Sequence, residues 1–174
     1  MSILTRPSVW IGCLACYNNG RLIGNWFPAE VAGDITPEDI HPTPTPTSHD
    51  ELWCFDLEGF PKGSGEMSPT DAVPWGELYL EAGNDWPALI AWAENGSHVE
   101  DARGLPDYPS FQDCYCGQWP SFGDYLEEEI SDMLCEWPEN AVRYFDYRQY
   151  ERDAAFDYTL LDAPNGEVWV LANR

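Results

Sequence analysis

The chain has 174 residues, room for one large domain or two to three small modules sharing a core. With 44% hydrophobic residues, including 9 Trp, 9 Tyr and 7 Phe, it carries enough apolar surface to offset the entropy of folding, which excludes whole-chain disorder. The 31 Asp and Glu against 8 Lys and Arg, a net charge of -23, exclude nucleic acid and anionic membranes as direct partners. Such an excess implies either a solubility requirement or a surface whose work is negative potential.

No run approaches the roughly 20 apolar residues that cross a bilayer. Residues 1–7 lack the basic-then-apolar pattern of an export signal, so a cytoplasmic location is expected, with the six Cys (13, 16, 54, 114, 116, 135) as reduced thiols.

Taken in chain order, the pattern predicts an α+β protein of three small modules: 1–62, β-rich; 63–109, acidic and helical; and 110–174, α+β with an acidic helix and a terminal hairpin. The first opens with β-rich residues 8–17, the turn Asn18-Asn-Gly20 and a second strand over 21–27, an antiparallel hairpin whose turn residues accept positive φ. Thr36-Pro-Glu-Asp39 has the form of a short capped helical turn. Alternate prolines in 41–48 force an extended loop, and a third strand follows over 51–57.

The middle module reads as short helices with many breaks. Trp86, Leu89, Ile90 and Ala93 fall at i, i+3, i+4 and i+7, one face of a helix that stops at Asn95-Gly96. In the third module, Ser121 and Asp124 resemble a capping box opening a helix over 121–136, with Phe122, Tyr125, Leu126, Ile130, Met133, Leu134 and Trp137 as its buried face. A further helix is expected over 146–155, then a hairpin of 158–161 and 167–171. Most Trp and Tyr sit at core periodicity; Trp75, Trp86 and Trp119 are the positions the pattern places least clearly.

The charge is unevenly spread. Residues 1–29 hold two Arg and no carboxylate, whereas 63–142 hold 17 acids and one base, Arg103. On the helix over 121–136 the polar face carries Asp124, Glu128, Asp132 and Glu136, a carboxylate every ~6 Å. Like charges at i, i+4 destabilise a helix, so a line unrelieved by Lys costs stability that a function must justify. Most charge runs are solvated helix faces, but such faces mix signs, and this one does not. Duplex DNA carries one charge per about 1.7 Å of axis, so 23 net charges match about 39 Å of duplex, and a homodimer about twice that.

The carboxylates expected to mimic phosphates are Glu66, Asp71, Glu77, Glu81, Asp85, Glu94, Glu100, Asp101, Asp107, Asp113, Asp124, Glu127, Glu128, Asp132, Glu136 and Glu139. The partner is then a DNA-binding protein. No catalytic residue, cofactor or metal is expected. Carboxylate pairs such as Glu100 and Asp101 arise by chance among 31 acids, and no nucleophile or phosphate-loop motif accompanies them.

Cys13-Leu-Ala-Cys16 has metal-ligand spacing, and Cys114 with Cys116 could complete four thiolates. Within one strand, however, Cys13 and Cys16 would point to opposite faces, which favours packing over metal. His41, His49 and His98 lie in loop-like contexts far apart in sequence and read as surface residues.

Several words in the chain resemble the ArdA antirestriction family: Tyr17-Asn-Asn-Gly20, Gly24-Asn-Trp26 and Phe55-Asp-Leu-Glu-Gly-Phe-Pro61; Tyr115-Cys-Gly-Gln-Trp-Pro-Ser121 with Tyr125-Leu-Glu-Glu128; and Tyr144-Phe-Asp-Tyr147, Arg152-Asp153, Asp157-Tyr-Thr159 and the closing strand 168–171. They cover most of the chain except about 63–109. Residues 29–48 depart from the regular acidic helix of the family, and the cysteines are outside its pattern. The resemblance implies an elongated homodimer of three small domains, joined through the C-terminal module, that imitates DNA and fills the DNA-binding groove of type I restriction-modification enzymes. The rival readings are a mimic aimed at another DNA-binding protein, such as a repressor, nucleoid protein or other nuclease, an enzyme with a hidden carboxylate pair, and a solubility adaptation.

Overall fold

Alternation of buried and half-buried side chains along Ser8–Cys13 makes β1 the centre of the first sheet, with Val9 and Ile11 fully buried. In the computed structural model, which describes residues 5–41, 48–96 and 98–173, β1 pairs antiparallel with β2 (Gly24–Pro28) on one side and β3 (Leu52–Glu58) on the other. The predicted hairpin is present, but its first strand ends at Cys13. A helical turn, α1 (Leu14–Asn18), intervenes, with the Cys13 thiol accepting the Cys16 amide proton at its start.

After β2 comes a 3-10 turn, Ala29–Asp34, and then α2 (Pro37–Ile40), capped as its sequence predicts: the Asp39 carboxylate accepts from the Thr36 amide at 2.8 Å. The Pro-Thr residues 42–47 lie outside the described residues.

Residues 69–82 form one 14-residue helix, α3 (Pro69–Ala82), where only short broken helices were expected. Ser68 caps its first turn and Pro69 stands at a position that needs no amide proton. Pro74 deprives it of one backbone hydrogen bond, yet packing against the 3-10 turn holds it together. Ala72 of α3 joins Val9, Ile11, Ala29, Ala32, Cys54 and Phe60 in one core, against which Trp75 packs half-buried. A short 3-10 turn leads into α4 (Trp86–Glu94), which buries Trp86, Leu89 and Ile90 as its periodicity predicts.

The chain divides into two compact units, Ser2–Tyr108 and Pro109–Arg174, and the elements so far belong to the first. Helix α5 (Tyr108–Cys114) begins at that division and runs directly into β4 (Tyr115–Trp119), a strand the sequence pattern does not reveal. Then come α6 (Phe122–Cys135), α7 (Glu139–Arg143), α8 (Tyr147–Ala154), β5 (Tyr158–Asp162) and β6 (Val168–Ala172). The second sheet has the order β4-β6-β5, all antiparallel. The hairpin from β5 to β6 turns through Asn165 (φ 63°) and Gly166 (φ 80°), residue types that tolerate the left-handed region.

Helix α6 lays Phe122, Tyr125 and Leu126 on Val170 of β6, with Trp119 half-buried beside Tyr125. Its apolar stripe is shorter than expected. Met133 and Trp137 are exposed, because the cluster beneath α6 is made by its first two turns and only Ile130 and Leu134 continue it. No helix among the described residues is long and apolar enough to cross a membrane.

Candidate functional site: exposed carboxylates

The structure sorts the sixteen expected carboxylates by what each oxygen touches. Glu66, Asp71, Glu77, Glu81, Glu94, Glu100, Asp113, Asp124, Glu127, Glu128, Asp132, Glu136 and Glu139 are exposed; Asp85, Asp101 and Asp107 are half-buried. Asp85 accepts from the Tyr108 hydroxyl at 3.1 Å, and Glu66 from the Trp53 indole at 3.3 Å. Asp101 is turned inward, accepting the Arg103 amide at 2.8 Å and the Leu105 amide at 3.0 Å while pairing with the Arg103 guanidinium at 2.9 Å. Burial alone would push the Asp101 carboxyl up. The Leu105 amide and the Arg103 side chain and amide outweigh it and hold the group below the usual Asp range.

The only base in 63–142 is thus engaged: Arg103 touches Asp101 and, at 3.6 Å, Glu77. Lys62 pairs with Glu94 at 3.2 Å, and Glu139 with Arg143 at 4.0 Å across one helical turn. These exposed pairs each contribute little. Glu81, Glu127, Glu128, Asp132 and Glu136 make no ion pair among the described residues.

Helix α6 positions most of that unpaired charge. Ser121 caps it, its hydroxyl accepting the Asp124 amide at 3.1 Å and donating to the Asp124 carboxylate, so Asp124 is shared between cap and surface. Burial of the Phe122, Tyr125, Leu126, Ile130 and Leu134 side fixes the opposite side toward solvent. That side presents Asp124, Glu128, Asp132 and Glu136, flanked by Glu127 and by Glu129, which is exposed as well and is missing from the sequence-based set. Asp34, Glu38, Asp56 and Glu58 are also exposed outside the 63–142 interval. For Asp56 and Glu58 the period-two alternation of β3 was the available signal.

The three His depart from the expected surface placement. His41 is only 9% exposed, and His49 and His98 are half-buried, His98 edge-on to Trp92 and 3.6 Å from Glu100. Nor do Cys13 and Cys16 point apart. The strand ends between them, the helical turn folds Cys16 back, and both are 1% exposed. Cys114 and Cys116 belong to the second unit and donate to the Phe111 and Cys114 carbonyls.

Fold and surface together define a class: an α+β protein with one helix, α6, whose charged residues are all carboxylates. The sequence pattern of the antirestriction protein family ArdA matches residues 9–168, and the chain belongs to that family. The match includes the 63–109 stretch that short word resemblances leave out. No curated protein matches the chain.

Proposed function

We propose that this chain is a DNA mimic that occupies the DNA-binding groove of a type I restriction-modification enzyme and so blocks restriction. The observation that supports it most is the α6 surface, where Glu127, Glu128, Asp132 and Glu136 stand exposed and make no ion pair among the described residues. A solvated helix of ordinary function pairs such charges with Lys or Arg at i, i+4. Here the charge is left for a partner to neutralise. A groove built for phosphates supplies that neutralisation, and carboxylates already fixed on folded elements avoid the cost of bending DNA.

The interaction is a summed field and not one contact. Rim charges each add little, while together they steer encounter and make binding fade with salt. No substrate is turned over in this reading, and the product is an inhibited enzyme.

A second copy of the chain would extend the charged surface. Tyr144 and Phe156, 83% and 84% exposed, stand on the C-terminal unit, and Leu160 faces outward on edge strand β5. We assign the homodimer contact to this unit, in keeping with the family resemblance.

The experiment is restriction of unmodified phage DNA by cells carrying a type I system, with and without the protein. Plating efficiency rises where the protein is made. Unchanged restriction across several type I systems would remove this reading.

A further inference from the structure

We infer that Cys13, Cys16, His41 and His49 form a metal site, one for a structural zinc ion. One ligand atom from each of the four lies within 4.8 Å of all the others. The distances from His49 Nδ1 are 3.5 Å to the Cys13 sulfur and 3.2 Å to the Cys16 sulfur. With zinc at about 2.3 Å from sulfur and about 2.0–2.1 Å from nitrogen, the edges of a tetrahedral S2N2 site are about 3.3–3.8 Å. The two sulfur–nitrogen edges therefore stand at nearly the separation a bound zinc requires, before any ion draws them in.

His41 supplies an independent pointer. It is 9% exposed, its ring stands edge-on to that of His49 with centroids 5.2 Å apart, and its Nε2 is buried with no hydrogen-bond partner. An orphaned buried nitrogen costs free energy comparable to a lost hydrogen bond. A metal ion would satisfy it. His49 then ligates through Nδ1 and His41 through Nε2.

The local fold places the thiols for this role. Cys13 ends β1 and Cys16 lies in the following helical turn, so the two-residue spacer sits in a bend, as metal-binding thiol pairs require. The Cys16 amide donates to the Cys13 sulfur at 3.4 Å, a contact that favours thiolate. Two soft thiolates with two imidazoles in tetrahedral reach select zinc over hard cations. The histidines come from the end of α2 and the approach to β3, so the ion would tie both margins of the 42–47 stretch to the β1 end. Each thiol gives up a proton as it ligates, so binding weakens as pH falls. The site lies among residues with no carboxylate ligand, and its chemistry is separate from the proposed mimicry.

The test uses the purified full-length chain. Metal analysis is expected to give one zinc per chain, and exchange with Co2+ alone to give the visible bands and thiolate charge-transfer of tetrahedral S2N2 cobalt. The variants C13S/C16S and H49A lose the ion, whereas C114S/C116S retains it. Should C13S/C16S fail to fold, the wild-type cobalt spectrum and H49A still decide. A folded wild-type chain that binds neither ion, a Cys13–Cys16 disulfide in place of metal, or full zinc content in H49A would overturn the inference.

Discussion

Gly76 of α3 lies so close to Glu30 that a β-carbon on it would stand 2.1 Å from the Glu30 amide nitrogen and 2.5 Å from its α-carbon. The neighbour is backbone, which cannot swing aside. This approach seats α3 on the 3-10 turn, and Arg6 pairs with the same Glu30 from the opposite end of the chain segment. Gly76→Ala, ordinarily stabilising in a helix, is therefore expected to destabilise the first unit by about 1–3 kcal/mol. Urea unfolding followed by Trp fluorescence checks it; an unchanged or higher midpoint would show that the contact has room.

The acidic face of α6 is expected to trade stability for binding. Converting Glu127, Glu128, Asp132 and Glu136 together to amides removes like-charge neighbours and raises stability by a few tenths of a kcal/mol per i, i+4 pair. The same change weakens inhibition of the restriction enzyme. Any one of the four alone changes inhibition less than about threefold, since rim charges act in sum. Parallel measurement of melting temperature and inhibition separates the two effects by their opposite signs. One substitution abolishing activity would point to a catalytic carboxylate.

Ser121 caps α6 through the Asp124 amide. Ser121→Ala is expected to cost about 1 kcal/mol, and Ser121→Asp to restore much of it. Thermal unfolding of the two variants tests this. Equal stability of Ser121→Ala and wild type would remove the cap from the account.

The cysteines are expected to differ widely in reactivity. Burial, helped by the charge on Asp71, pushes the Cys54 thiol up to about 12, so at neutral pH it holds almost no thiolate. Burial and the Cys13 sulfur raise Cys16 as well in the metal-free chain. Cys135 is exposed on the end of α6. Alkylation followed by peptide mass analysis should label Cys135 first and Cys54 last. Early labelling of Cys54 in the folded chain would contradict its placement in the core.

Acid should act on Asp101 late. Its folded-state carboxyl titrates below the usual Asp range, so the stability it gives is present above the unfolded value and is lost as pH falls through the lower folded value. Observed by NMR, the Asp101 carboxyl signal should move at lower pH than that of an Asp in an unstructured peptide. Coincident titrations would show that the Arg103 and Leu105 contacts do not persist in solution.

What was legible in the sequence follows from which signals are local. The cap at Ser121, the period of Trp86, Leu89 and Ile90, and the Asn-Gly turn before β6 act over a few residues, and each element stands where its signal places it. Helix α3 was obscured by Pro69, Pro74 and Gly76, which read as breaks, although Pro69 starts the helix and Gly76 permits its packing. The exposed Met133 and Trp137 show the limit of a helical stripe, which gives a direction but not the length of the sheet beneath it. The Cys and His cluster was lost because four residues from three segments converge only in the fold, and because treating 8–17 as one strand sent Cys13 and Cys16 to opposite faces.

The most direct measurement of the central claim is competition for a purified type I restriction-modification enzyme between a labelled DNA duplex and this protein, repeated across a salt series. DNA should be displaced in proportion to the protein bound, the protein's affinity should fall steeply with salt, and the amide variant of Glu127, Glu128, Asp132 and Glu136 should displace poorly. Binding that leaves the DNA in place, or displacement that the amide variant performs as well as the wild type, would contradict it.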